Sequence, residues 1–425
     1  MVNVSFPCNS ISRSTLIAYF IDIRRRCKKY CERYLQDQNL APFASVRYLL
    51  HLTSIAAKST PRPDFIWWTE NTVKVGDHTV DVDQFTPFLS LKIGEIEEFV
   101  EKSVLLGTCT LSEIEEKFKV SSLKDPSGDE DVLGNGVLFD ARNNTLDNPE
   151  SAEIFYEMFR KKCLGMTRDS QNDLRFDQNK CITWISNIHK AMSVIQPLCH
   201  ITQGPGPGRM SEECIHSPTN SMNSARNFAF DEQEGTGGFR SGYNKTSFVT
   251  DDQKAVFRLL PYSVFRLLYI LTRLIRPIEL TILLEFVVTT QEDRQSLVNT
   301  YKERIWASWG QPWSAVDLSR NLQEFMFEGT GCKIGTRSYR HLAIAIQRHF
   351  PTTSYDRYNT ERDIENRTLA LAADRMAGHG IEAAEMNYAR KSGVTTRAIT
   401  HAHFVRVSKD WHELLGIPTR IGDRK

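Results

Sequence analysis

The chain has 425 residues, 40% of them hydrophobic and 25% charged, the balance of a soluble globular protein long enough to build two or three cores. No apolar run approaches the ~20 residues that a membrane span needs, and the first residues lack the charged-then-apolar layout of a secretory leader. The net charge of +1 argues neither for nor against nucleic acid, while nine cysteines without a Cys-x-x-Cys pair, the nearest being Cys27 and Cys31, read as free thiols of the cytosol or nucleus with no zinc site.

Taken in order, residues 11 to 35 place Leu16, Phe20, Ile23, Cys27, Tyr30 and Tyr34 at three- and four-residue steps and predict a helix. Its other face carries Arg24, Arg25, Arg26, Lys28, Lys29 and Arg33, which suits either a solvated face or a helix lying along a DNA backbone. A second helix is predicted over 43 to 57. Val73, Val75, Val80 and Val82 alternate around Gly76-Asp77 and predict a hairpin, beside which Trp67 and Trp68 are either core aromatics or stacking platforms for bases. Helical period returns over 89 to 119. Residues 120 to 150, rich in Ser, Asp, Gly and Asn, read as a loop or linker.

Helices are predicted over 150 to 164 and 177 to 199. The stretch from 200 to 250 has the composition of a linker, with GPGPG at 204 to 208 and GTGG at 235 to 238. An almost wholly apolar run from 262 to 275 predicts a buried helix. Further helices are expected over 278 to 290 and 314 to 327, with Gly310-Gln311-Pro312 as a turn between them. A terminal helix follows within 396 to 416. Residues 331 to 425 hold 16 Lys or Arg against 10 Asp or Glu, a basic excess that suits phosphate but is shared by many solvated helices.

Within that basic region Arg340-His341 opens a run with Leu342, Ile344, Ala345 and Ile346, a Gly378-His379 turn follows, and Tyr388 lies nine positions beyond His379. Singly these are an ordinary core helix, a surface charge and a helix-start histidine. Jointly they resemble the C-terminal signature of the tyrosine recombinases, being most similar to the Crypton-type recombinases of fungal mobile elements and the matching domain beside fungal RecQ-type helicases.

The resemblance implies more upstream. The family's first active-site arginine follows a glycine turn after a helix and has a glutamate three positions on, which matches Arg209 and Glu212 after Gly208. Its small antiparallel sheet, whose hairpin presents a lysine, corresponds to Asn227-Phe228-Ala229-Phe230, a glycine turn and then Phe239 to Lys245, so the resemblance sets the linker reading of 200 to 250 aside; its leucine-proline and arginine-proline correspond to Leu260-Pro261 and Arg276-Pro277. Arg276, with Glu279 three positions on, is a decoy for the first arginine; chain order favours Arg209, since the hairpin lysine must come after it. The implied fold is mainly α with a small antiparallel β-sheet: a DNA-clamping region over 1–119, a linker over 120–150 and a catalytic domain over 151–425.

The implied chemistry suits the residue types. Two guanidiniums, Arg209 and Arg340, would neutralise a phosphodiester whose transition state concentrates charge on its non-bridging oxygens. Tyr388 would be the nucleophile, His379 would take its proton or hold the phosphate, and Lys245 would protonate the leaving oxygen. Arg337 stands where the family commonly has histidine, so it can bind phosphate but not shuttle a proton; His341 is a further phosphate contact. No metal and no cofactor are needed. The expected partners are double-stranded DNA and further copies of the chain, as a tetramer on two duplexes in the nucleus. A DNA-binding remnant without catalysis, a type IB topoisomerase and a scaffold that binds no DNA are the rival readings.

Overall fold

The alternating valines do make a hairpin, and a further strand extends it. In the computed structural model, which describes residues 66–125, 132–143, scattered positions from 156 to 175, 177–221, 225–241, 256–286, 290–350, 364–377 and 399–420, the first sheet has three antiparallel strands. These are β1 (Ile66–Thr69), β2 (Thr72–Val75) and β3 (His78–Asp81), with Val73 opposite Val80 and Gly76 at φ 60° in the turn. Val73, Val75 and Val80 point inward and are buried. Trp68 stacks on the His349 ring at 3.7 Å and meets Phe350 edge-on, so this tryptophan is a packing residue. The predicted helices over 11 to 35 and 43 to 57, with Arg24, Arg25, Lys28 and Lys29, lie outside the described residues.

Val82 does not continue the strand as its alternation suggested. Asp81 accepts a hydrogen bond from the Asp83 amide at 3.0 Å and caps a helix that starts at Val82, seven residues before the expected start at 89. This helix, α1 (Val82–Phe99), buries Phe85, Leu89, Ile93 and Ile96 and runs on as a wide π turn through Val104. The short α2 (Leu111–Phe118) starts on a reciprocal cap in which Glu113 accepts from the Thr110 amide at 2.7 Å and donates its own amide to the Thr110 hydroxyl at 3.2 Å.

The polar stretch after α2 is anchored where it is described. Val120, Leu123, Val137 and Leu138 join the main core. Asp125 is buried, pairs with buried Arg226, and accepts from the Phe230 amide at 2.7 Å. Residues 66 to 425 form one compact unit, and a single large core runs from Val73 to Ile417.

A two-residue pair, β4 (Thr167–Arg168) and β5 (Leu174–Arg175), precedes α3 (Gln178–Thr202) and the single turn α4 (Met210–Glu213). The second three-stranded antiparallel sheet follows as β6 (Phe228–Asp231), β7 (Thr236–Ser241) and β8 (Val256–Leu259). Of the GTGG run, Gly235 closes the turn at φ 66° and Thr236 to Gly238 are strand, where a Cβ at Gly237 would overlap the Phe265 ring and one at Gly238 the Arg258 carbonyl.

The apolar run gives α5 (Tyr262–Tyr269), which passes through a π turn at Ile270–Ile275 into α6 (Arg276–Phe286). The expected break at Arg276-Pro277 does not occur. The Arg276 amide bonds five residues back to Leu271, and this wide turn lets the helix pass a proline that lacks an N–H and crowds the preceding turn. Next come α7 (Gln291–Glu303), the hairpin β9 (Ala307–Ser308) and β10 (Gln311–Pro312), α8 (Ala315–Thr330), α9 (Thr336–His349), α10 (Ile364–Met376) and α11 (His401–Leu414).

A smaller core of Phe257, Leu259, Leu369, Met376, Phe404 and Val407 joins β8, α10 and α11. The last helix docks within its own chain. Trp411 donates to the Ile201 carbonyl at 2.8 Å, His412 to Thr202 at 2.9 Å and Ser408 to Gln203 at 3.2 Å, so α11 satisfies the orphan carbonyls at the end of α3. The described fold is thus mainly helical with small antiparallel sheets, and none of its helices is long and apolar enough to cross a membrane.

Candidate functional site

The loop from α3 to α4 is built on glycines for packing reasons. Gly204 has φ 143°, and a Cβ at Gly206 would overlap the backbone of Met376 and Ala377 at the end of α10. The GPGPG run is therefore a tight seam between two backbones. It delivers Arg209 to the start of α4, where the side chain is 39% exposed and the Arg209 amide donates to Glu212 at 3.4 Å. The Arg209 guanidinium lies 3.7 Å from the same carboxylate.

Arg340 reaches this seam from α9, whose Tyr339, Leu342, Ala343, Ala345 and Ile346 are buried in the core. Its Nη2 donates to the carbonyl of Ala377 at 2.7 Å. Burial and then the neighbouring positive charge of Arg209 lower its pKa, opposed by Glu212 and Glu213. Two arginines far apart in sequence are thus held as electrostatic neighbours, and Arg340 bonds to Ala377, which immediately precedes Gly378-His379. Arg337 and His341 are exposed on α9 at i−3 and i+1 from Arg340. Lys245, His379 and Tyr388 lie outside the described residues; Lys245 falls in the connection from β7 to β8.

Beneath the arginines is a buried polar layer that sequence reasoning missed. Glu213 accepts from His200 Nδ1 at 2.8 Å and from Gln203 Nε2 at 2.6 Å. Burial pushes its carboxyl up, but its interactions with His200 and His216 and the hydrogen bond from Gln203 hold it below the usual range. Arg258, inside β8, donates from Nε to Gly206 at 2.9 Å, from Nη1 to Ser241 at 2.8 Å and from Nη2 to Met376 at 2.7 Å. Burial lowers its pKa to about 10. The only available signal for Arg258 was a charge in an otherwise apolar strand, Val256-Phe257-Arg258-Leu259. Among the described residues no group of three His, Cys, Asp or Glu side chains could hold a metal.

Arg276 behaves differently. It is 6% exposed, donates to the carbonyls of Arg304 at 2.9 Å and Ile305 at 2.7 Å, and lies over the Tyr301 ring at 5.1 Å. Its neighbour Glu279 accepts from the Tyr301 hydroxyl at 2.6 Å and from the Trp309 amide at 3.3 Å, holding a turn in which Trp309 and Gly310 both have positive φ. Arg276→Ala should therefore lower stability by about 2 kcal/mol or more, because buried carbonyls lose their donors. Urea unfolding checks this; an unchanged midpoint would show that the guanidinium is not a strut.

Comparison of the chain with protein-family models, with curated proteins and with solved structures gives no match.

Proposed function

We propose that this chain cleaves and rejoins DNA strands as a tyrosine recombinase, by way of a 3′-phosphotyrosyl intermediate. The observation that carries the proposal is the electrostatic pairing of Arg209 with Arg340, which bonds to Ala377, one residue before Gly378-His379. Two like charges brought together beside a buried carboxylate layer repel each other, and an anion between them relieves that repulsion. A phosphodiester is such an anion, and two planar forks of donors match its non-bridging oxygens.

In this reading the Tyr388 phenol attacks phosphorus, the P–O bond to the 5′ oxygen breaks, and the strand's 3′ phosphate becomes joined to the tyrosine. His379 receives the phenolic proton, Lys245 supplies one to the departing 5′ oxygen, and a free 5′ hydroxyl results. Rejoining reverses these transfers. Arg337 and His341 add phosphate contacts, and Arg24, Arg25, Lys28 and Lys29 bind the duplex backbone. The chain acts in the nucleus as a tetramer on two duplexes, moving a mobile element.

The second reading is a DNA-binding remnant without catalysis. Arginine at position 337 favours it, because an arginine cannot carry the proton that a histidine there would carry. Incubation with nicked suicide duplexes separates the two. The proposal expects a protein–DNA adduct that survives SDS; duplex binding without any adduct would leave the remnant reading in its place.

A further inference from the structure

Arg258 is a guanidinium where a strand buried on both faces would ordinarily hold an apolar side chain. Desolvating that charge is unfavourable, and no carboxylate hydrogen-bonds it among the described residues. What it touches explains its presence. Gly206 lies three residues before Arg209, Met376 three before His379, and Ser241 four before Lys245. Met376 also adjoins Ala377, whose carbonyl receives Arg340.

We propose that Arg258 is a positioning residue, a clasp that fixes the spacing of the three segments leading into the phosphate site. Its planar fork reaches three acceptors on three segments from three separate nitrogens, whereas the three donors of a lysine share one. The carbonyls of Gly206 and Met376 are held by Nε and Nη2, neighbouring donors of one rigid group, and the glycine at 206 allows the two backbones to touch. The proposal rests on the recombinase reading for what is positioned, while the clasp itself is geometric.

Arg258→Lys and Arg258→Gln test it, with folding followed by circular dichroism and thermal unfolding. At saturating duplex the rate of covalent capture should fall by about 100-fold in Arg258→Lys, while duplex Kd stays within about two-fold, because misplacement of about 1 Å acts on the reacting geometry. A variant that melts earlier yet captures DNA at the wild-type rate when folded would overturn the clasp and leave the recombinase reading standing. If neither variant folds, Ser241→Ala removes one acceptor alone and should slow capture by about 10-fold; an unchanged rate there also overturns it.

If wild-type protein captures no duplex, the recombinase reading fails and inorganic phosphate decides the clasp. Thermal shift should then show phosphate binding that Arg340→Ala loses and that Arg258→Lys weakens by about 10-fold. Equal binding in Arg258→Lys, or none in the wild type, overturns it.

Discussion

Arg340→Ala and Arg209→Ala should each slow covalent capture of a suicide duplex by about 10²–10³-fold, and Tyr388→Phe should abolish it. In the proposed reaction the arginines act on charge that develops in the transition state, so removing one should leave the ground-state complex largely formed and the barrier raised. Neither change should unfold the protein. Arg209 is part-exposed and meets only the Glu212 carboxylate in the contacts described, and Arg340 gives one hydrogen bond, to Ala377, worth about 1 kcal/mol. The double variant should be little worse than either single one, because the two guanidiniums act on one phosphate as a unit. Capture at the wild-type rate in both single variants would remove the pair from the chemistry. Slow capture in Arg276→Ala with normal capture in Arg209→Ala would move the clamp to the other arginine.

Periodicity carried most of the helical framework. Leu342, Ala345 and Ile346 mark the buried face of α9, and Ile185, Ile188, Met192 and Ile195 that of α3, at spacings that no turn chemistry disturbs. Val73 and Val80 likewise fix which face of the hairpin is buried. Where the reading slipped, a local cue met a tertiary one. Val82 has the parity of a strand residue, but the Asp81 cap outweighs it. Pro277 signals a helix end, yet a π turn takes the chain past it. The glycines at 204, 206, 237 and 238 have a linker's composition although the family pattern sets a turn and a hairpin there, and the Met376 side chain against Gly204, the backbone against Gly206 and Gly238 and the Phe265 ring against Gly237 show why no side chain fits.

The site divides in the same way. The sequence offered Arg209 through the glycine turn before it and Arg340 through the Arg-His pair that opens an apolar helix, and the structure holds the two as electrostatic neighbours. Arg258, Glu213 and His200 were not legible in the sequence. A buried charge is tolerated only by virtue of its partners, and the partners of Arg258 are carbonyls and a hydroxyl on three separate segments. A carbonyl has no letter in the sequence, so its ligand cannot be read there. Glu212 matched the family's spacing, whereas the adjacent Glu213 makes the buried hydrogen bonds.

Those buried histidines and carboxylates make the protein acid-sensitive, and the expected loss between pH 6.5 and pH 4 is about 3 kcal/mol. Burial lowers His216 from its ordinary 6.5 to about 4, the Glu213 charge opposing and Arg258 assisting. Burial likewise lowers His412 to about 4, against the help that the Thr202 carbonyl gives its charged form. Each stays neutral in the folded chain while its unfolded counterpart takes up a proton below 6.5, so stability falls with pH through that window, by about 3 kcal/mol per histidine. Asp410 works the other way. Burial raises its pKa to about 6, so the folded chain holds an extra proton below that pH and recovers about 3 kcal/mol as pH falls toward 4. Two histidines against one carboxyl leave the net loss. Urea unfolding at pH 7, 5.5 and 4.5 measures it. His412→Gln, whose amide can still donate to Thr202, should be less stable at pH 7 but should lose little or nothing more on acidification. A wild-type midpoint that is flat or rises from pH 7 to 4.5 would mean that the two imidazoles already carry a proton in the folded protein, or that water reaches them.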